Sequence, residues 1–145
     1  MIQIREIFDN PVPYRITTKT LKKFEVYFKV EKIGYTFTAT GGFLSDNKYN
    51  FLLTFSSNTT LKNYRGDMIL TGEGNPYVVF STLAKIMEEF IKKYKPYEFS
   101  FTAKEESRKK IYRIFTKKLS KKFNYSMNIE TLGNEDEEYI LTKRG

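Results

Sequence analysis

The order of hydrophobic and polar positions in the first half of the chain predicts β-strands. Apolar side chains alternate with polar ones over residues 22–30, again over 33–39, and a third time over 49–55. The apolar parity changes within 31–34, and a strand changes its buried face only through a turn or a bulge. Gly34 favours a hairpin turn there, and Gly41, Gly42 and residues 45–47 predict a loop. The pattern therefore predicts an antiparallel meander with one buried face.

Within residues 67–119 the pattern of apolar positions changes, and segments with helical spacing follow short strands. We predict a strand over 67–71, a glycine loop over 72–75, a helix over about 76–94, a strand over 97–103 and a helix over about 105–123. Pro76 suits the first turn of the first helix, and Pro96 ends it. Weak alternation over 126–131 and 138–143 predicts a terminal hairpin. The chain is thus predicted to be a single α+β domain, residues 1–145, with a twisted, mostly antiparallel sheet and a central strand–helix–strand–helix unit.

Two residue types are absent from the chain, and their absence limits the possible chemistry. It contains no cysteine, so disulfides and thiolate nucleophiles are excluded. It contains no histidine, which removes the usual general base and every Ser-His-Asp or Cys-His arrangement. Catalysis would have to use carboxylates, tyrosine, lysine, serine or backbone groups. No metal site is predicted.

The distribution of apolar residues predicts a protein without a membrane span. No run approaches the ~18 apolar residues that a spanning helix needs. Residues 1–7 contain Arg5 and Glu6 within a short apolar pattern, unlike the apolar core of a signal peptide. These features predict a cytoplasmic protein, located in the host cytoplasm or the virion if a phage encodes it.

The order of the predicted elements is similar to that of the GNAT N-acetyltransferase family. The sequence Gly72-Glu73-Gly74 stands where that family has a Gln/Arg-x-x-Gly-x-Gly/Ala loop, whose backbone N–H groups bind acyl-CoA pyrophosphate. Unpaired N–H groups and the dipole at a helix N-terminus attract anions. The resemblance implies that Gly72, Gly74 and Asn75 bind acetyl-CoA or another acyl-CoA. The alternative is a tight strand-to-helix turn.

The second predicted helix carries the other feature of that resemblance. Ile111-Tyr112 stands where the GNAT family has a Leu-Tyr-like pair, whose tyrosine protonates the departing thiolate. The resemblance implies that Tyr112 is the general acid; the alternative is a tyrosine packed on the sheet with its hydroxyl at the rim. Ile69 and Glu73 depart from the family's loop motif, so the implied activity is that of a degenerate acyl-CoA-dependent N-acyltransferase.

A second resemblance concerns the source of the protein. The strings Thr71-Gly-Glu-Gly-Asn75, Phe99-Ser-Phe-Thr-Ala103 and Ser107-Arg108 look like those of small proteins that many tailed phages encode. This resemblance implies a viral setting and a GNAT-like fold, with or without catalysis.

Basic residues are concentrated in the second predicted helix. Eight of the chain's 25 basic residues fall within positions 108–122, and the net charge of the chain is +8. Candidate contacts with a partner are Arg108, Lys110, Arg113, Lys117 and Lys121, four of which share one face by three- and four-residue spacing. They could bind nucleic-acid phosphates, or a virion or host protein. The alternative is the solvated face of an amphipathic helix. The acidic run 135–138 is predicted to lie at the hairpin turn and to pair loosely with this helix.

Overall fold

The computed structural model describes residues 11–45, 48–57, 67–68, 76–103, 106–131 and 136–144. They form eight strands: β1 (Tyr14–Lys19), β2 (Lys23–Val30), β3 (Ile33–Ser45), β4 (Lys48–Ser57), β5 (Asp67–Met68), β6 (Glu98–Ala103), β7 (Tyr125–Thr131) and β8 (Glu137–Lys143). They also form two helices, α1 (Pro76–Tyr94) and α2 (Glu106–Phe123). The strands make one sheet in the order β1-β2-β3-β4-β5-β6-β8-β7. The predicted α+β class and mostly antiparallel sheet are confirmed.

Strands β1 to β4 form the antiparallel meander. The turn between β2 and β3 consists of Glu31 and Lys32, and Val30 pairs with Ile33 on either side of it. Glu31 takes the positive φ of 57° that this tight turn requires. The predicted turn is therefore present, but Gly34 lies inside β3 opposite Lys29. Strand β1 pairs with β2 along the edge of the sheet, in a region for which the sequence analysis predicts no strand.

Gly41 and Gly42 lie within β3, so the prediction of a loop at these positions is wrong. They pair with Phe51 and Asn50 of β4. A Cβ atom added to Gly41 would lie 2.5 Å from Cε2 of Phe51, whereas one added to Gly42 would meet only Asn50 Oδ1 at 3.4 Å. Gly41 is thus a strand glycine that allows a neighbouring ring to approach the backbone closely.

The second half of the chain forms the helices and the terminal hairpin. The bounds of α1 match the prediction, and β6 and α2 each begin one residue later than predicted. Strand β8 pairs with β7 in the predicted hairpin and also with β6, so it lies between them. The predicted strand over 67–71 is represented by the two residues of β5, and residues 69–75 lie outside the described part.

The core lies between the helices and one face of the sheet. Phe99 and Phe101 share a face of β6; Phe99 contacts Phe90 of α1, and Phe101 contacts Tyr112 of α2. Because alternate strand residues point to the same face, both helices cover the same side. Phe90 is fully buried and also contacts rings of β2, β3 and β4: Phe24, Phe37 and Phe51. On the opposite face Thr36, Thr38 and Thr54 are half-buried.

Candidate functional site

Helix α2 contains most of the candidate site residues, and its two faces differ sharply. Tyr112, Phe115 and Leu119 point towards the sheet and are buried. The other face is exposed and basic, and it carries Arg113, Lys117, Lys118, Lys121 and Lys122. The backbone of α2 is described throughout, but the side chains of 106–111 are not. Arg108 and Lys110 are therefore placed only by their positions on the first turns of the helix.

Tyr112 lies where α1, α2 and β6 meet. Its side chain is fully buried, with its ring edge-on to Phe80 at a centroid distance of 5.4 Å and tilted towards Phe101 at 6.1 Å. The hydroxyl of Thr116 donates to the Tyr112 carbonyl at 2.6 Å. Tyr112 is thus a packed tyrosine, as the alternative interpretation of this residue predicts. Its hydroxyl, however, is buried and does not lie at the rim. Its role as a general acid stays a prediction.

Arg113 forms an ion pair with Glu137 at the start of β8. Its Nε donates to Glu137 Oε1 at 3.2 Å, and its Nη2 donates to the other carboxylate oxygen. This bidentate arrangement is the strong form of an arginine–carboxylate pair. The Tyr139 hydroxyl donates to the same Oε1 at 2.7 Å. The side chain of Glu137 is only 8% exposed and that of Arg113 is 54% exposed, so the arginine covers a buried carboxylate.

The ionisation of this cluster follows from its contacts. The hydrogen bonds with Glu137 and the charge of its carboxylate raise the pKa of Arg113 above the usual range for a guanidinium. Burial, followed by the hydrogen bond to Glu137, raises the pKa of Tyr139. Tyr139 therefore keeps its proton and acts as a donor at neutral pH. The acidic run does meet the basic helix, but through a buried bidentate pair rather than a loose one. Contact of Arg113 with a partner stays a prediction.

Lys117 and Lys121 follow Arg113 at intervals of one helical turn. Both are exposed, and neither makes a hydrogen bond or an ion pair with any residue that the structure describes. The adjacent Lys122 differs, because its ammonium donates to Glu88 Oε1 of α1 at 2.6 Å. Lys117 and Lys121 are thus the cations of this face whose charge the described part of the fold leaves unbalanced.

Strands β4 and β6 run parallel and diverge along their length. At one end they are direct neighbours, with Phe51 opposite Phe99. At the other end β5 lies between them, and its Met68 pairs with Phe55 of β4 and with Ala103 of β6. Because neighbouring strands are ~4.8 Å apart, the separation of β4 and β6 grows from one strand spacing to two. Backbone of the chain itself occupies the resulting gap.

The glycine-loop residues Gly72, Gly74 and Asn75 lie outside the described residues. Their predicted contact with a cofactor stays a prediction.

Comparison with known proteins gives one decisive match. Residues 20–144 match the family of unknown function DUF6934, a span that runs from the turn before β2 to the end of β8. The chain belongs to DUF6934. No curated protein and no solved structure matches it.

Within this DUF6934 chain, Glu137 is the site residue whose burial the sequence prediction missed. The acidic run suggested a solvated turn, yet Glu137 is in register with Tyr139 and Leu141, which are fully buried. Alternation with two buried residues places Glu137 on the core face of β8. That spacing is visible in the sequence. The sequence does not show which arginine neutralises the carboxylate, because that arginine belongs to another element.

Two further observations, on metal ligands and on membrane-spanning helices, concern the described part of the DUF6934 chain. No group of three or more potential metal ligands is found among the described residues. Neither described helix is long and apolar enough to cross a membrane.

Proposed function

We propose that this protein binds nucleic acid through the exposed lysines of α2 and is not a catalyst. The observation that carries the proposal is the pair Lys117 and Lys121, which are exposed and have no partner among the described residues. They lie about 6 Å apart along the helix axis. Ammonium groups held in a row on a rigid helix can contact phosphates and release their counterions.

The charge balance around α2 supports the same proposal. Arg113 and Lys122 are neutralised by Glu137 and Glu88, which anchor the helix to β8 and to α1. Lys117 and Lys121 lie between these two anchors along α2. The excess charge of this face adds to a chain whose net charge is +8, which favours a polyanionic partner.

We further propose a GNAT-like fold that has lost, or never had, the cofactor site. The element order and the diverging parallel strands β4 and β6 support the GNAT-like part, since GNAT enzymes open a gap between such strands for acyl-CoA. Two observations favour a non-catalytic protein. Strand β5 pairs with both strands across that gap, and Tyr112 is buried beneath Phe80.

The first test measures binding of a labelled DNA duplex by fluorescence anisotropy at several salt concentrations. We expect wild-type protein to bind at about 50 mM salt and to lose affinity steeply at about 200 mM. The double substitution Lys117→Glu with Lys121→Glu should remove about two units from the slope of log K against log salt concentration, because each lysine contact with a phosphate contributes about one.

Lys29→Glu with Lys32→Glu is the matched control for this test. Both lysines are exposed, and they lie at the β2–β3 turn, away from α2. Each double variant lowers the net charge from +8 to +4, since every Lys→Glu change removes two positive units. Equal loss of binding in both variants would show a dependence on net charge alone. Absence of wild-type binding to duplex and single-stranded DNA at low salt would exclude the proposal.

An acyl-CoA-dependent N-acyltransferase is the second candidate function. The strand–helix–strand–helix order and the position of Tyr112 on α2 favour it, and acetyl-CoA would be its cofactor. Calorimetric titration with acetyl-CoA separates the two candidates: the non-catalytic proposal predicts no binding heat at about millimolar ligand, a level that would detect even weak sites. Saturable heat that Tyr112→Phe leaves unchanged would establish a cofactor site without settling catalysis.

The tailed-phage setting stays a prediction.

A further inference from the structure

A cavity of about 500 Å³ lies where the turn after β1, the start of β4 and the end of α1 meet. The lining side chains on which the argument depends are Lys19, Leu21, Tyr49, Phe51, Lys93 and Tyr94. The volume falls within the range of about 300–1,000 Å³ that is typical of small-molecule sites.

The aromatic wall of the cavity is held in place from behind. The Phe51 ring is edge-on to Phe90 at 5.1 Å and to Tyr94 at 5.4 Å. It also lies over Gly41, where a side chain would collide with it. The Tyr94 hydroxyl donates to the Thr20 carbonyl at 2.6 Å and so ties α1 to the turn after β1. This wall is preorganised, which lowers the entropic cost of binding a ligand.

The rim of the cavity is apolar on one side and basic on the other. Leu21 is 81% exposed, more than any other large hydrophobic side chain in the described part of the chain. Lys19 and Lys93 both line this side of the cavity, and the neighbouring Lys93 ammonium lowers the pKa of Lys19 below the usual range for lysine. Two cations placed this close repel each other unless an anion lies between them.

The nearby carboxylate does not balance both cations. Glu89 Oε2 is 3.7 Å from the Lys93 ammonium, a distant contact for an ion pair. The other oxygen of Glu89, Oε1, accepts a hydrogen bond of 2.5 Å from the Tyr14 hydroxyl. One carboxylate, already engaged by a phenol, therefore faces two ammonium groups, and the rim keeps an excess of positive charge.

We propose that this cavity binds a small amphipathic carboxylate. Its carboxylate lies between the ammonium groups of Lys19 and Lys93, and its apolar body lies against Leu21, Phe51 and Tyr94. The rim and the wall together select the class of ligand. The positive charge of the rim favours anions over neutral and cationic molecules, and the aromatic wall favours a ligand with an apolar body over inorganic anions. The inference is independent of nucleic-acid binding by α2, because the two surfaces share no residue.

The test follows backbone amide shifts by NMR while phenylbutyrate is added to the full chain. We expect saturable shifts at residues 19–21, 49–51 and 93–94, with a Kd of about 1 mM or below. Phenylbutanol, its neutral analogue, should bind at least about tenfold more weakly. Lys19→Met with Lys93→Met should lower the affinity for phenylbutyrate to that for the alcohol, because methionine keeps much of the apolar stem and removes the charge.

Lys22→Met with Lys92→Met is the matched control. These exposed lysines lie on the same turn and the same helix, and neither lines the cavity. The control should keep wild-type affinity for phenylbutyrate. The proposal is overturned by any of three results: no shift at these residues with about 10 mM phenylbutyrate, equal affinity for the acid and the alcohol, or equal loss of affinity in the two double variants.

Discussion

Replacing Arg113 by methionine is expected to lower the free energy of unfolding by about 2–4 kcal/mol. The substitution keeps much of the apolar stem of the side chain but removes the guanidinium that pairs with the buried carboxylate of Glu137. Glu137 is 6% exposed, and the Tyr139 hydroxyl would continue to donate to it. Removing one partner of a buried ion pair costs about 3–5 kcal/mol. Because Arg113 itself is half-exposed, water can partly replace it, so the expected loss covers the lower part of that range and extends below it.

Urea denaturation followed by circular dichroism measures this loss, and Lys117→Met is its matched control. Lys117 lies one turn further along α2, is exposed, and has no partner among the described residues. The same loss of one positive charge, again with methionine as the replacement, should alter stability by no more than about 0.5 kcal/mol at that position. Adding Glu137→Gln to the Arg113→Met variant should restore part of the loss, because the buried charge is then removed.

The same pair of variants separates structural from binding roles on the basic helix. If Arg113→Met is as stable as Lys117→Met, the ion pair contributes little and Arg113 is available to a partner. If Arg113→Met is destabilised while Lys117→Met loses affinity for DNA, the two residues have different roles, although they share a face at i and i+4. The proposed function requires the loss of DNA affinity in Lys117→Met.

The sequence predicted the helices well because their ends carry strong signals. Pro76 at the first helical position and Pro96 after the last turn determine α1, whose bounds match the prediction. The β2–β3 turn was equally predictable, since a change of parity has few structural explanations.

The errors in the predicted fold concern contacts between distant parts of the chain. Strand β1 was missed because it has few apolar residues and gains its order from pairing with β2. Gly41 was predicted to be in a loop, as glycines often are, whereas its role depends on Phe51 of the next strand. Strand β8 lies between β6 and β7, and alternation within a single strand does not specify its neighbours.

The candidate site shows the same limit. Helical spacing correctly grouped Arg113, Lys117 and Lys121 on one exposed face, but it did not show that Glu137 would neutralise the first of them. The rim of the cavity combines Lys19 and Lys93 from positions 74 residues apart. Each of these lysines looks unremarkable in the sequence, and the excess of charge arises only when the fold brings them together.

Alkaline pH is expected to unfold the protein cooperatively between about pH 10 and 12. Burial raises the pKa of Tyr125 from its usual value of about 10 to about 12. Burial is also the main cause that raises the pKa of Tyr14, Tyr94 and Tyr139. A phenol whose pKa is higher in the folded state stabilises that state fully below the unfolded pKa. The contribution is lost as the pH rises from the unfolded towards the folded value.

Tyr125 alone should account for about 3 kcal/mol of this loss, since each pKa unit corresponds to about 1.4 kcal/mol. The measurement combines circular dichroism with tyrosinate absorbance, which is readily interpreted because the chain has 11 tyrosines and no tryptophan. We expect one group of tyrosines to ionise only as the ellipticity is lost. Simultaneous ionisation of all of them near pH ~10, with native ellipticity retained, would contradict the prediction.

Tyr125→Phe provides the control for the alkaline transition. At neutral pH it should cost about 1 kcal/mol, because the Tyr125 hydroxyl donates to the Pro96 carbonyl and phenylalanine leaves that acceptor unpaired. Above pH ~10 the variant should lose stability less steeply than the wild type, since it has no phenol at that position to ionise. The two stability curves should therefore converge and cross as the pH rises. Parallel curves would show that burial of Tyr125 does not drive the alkaline transition.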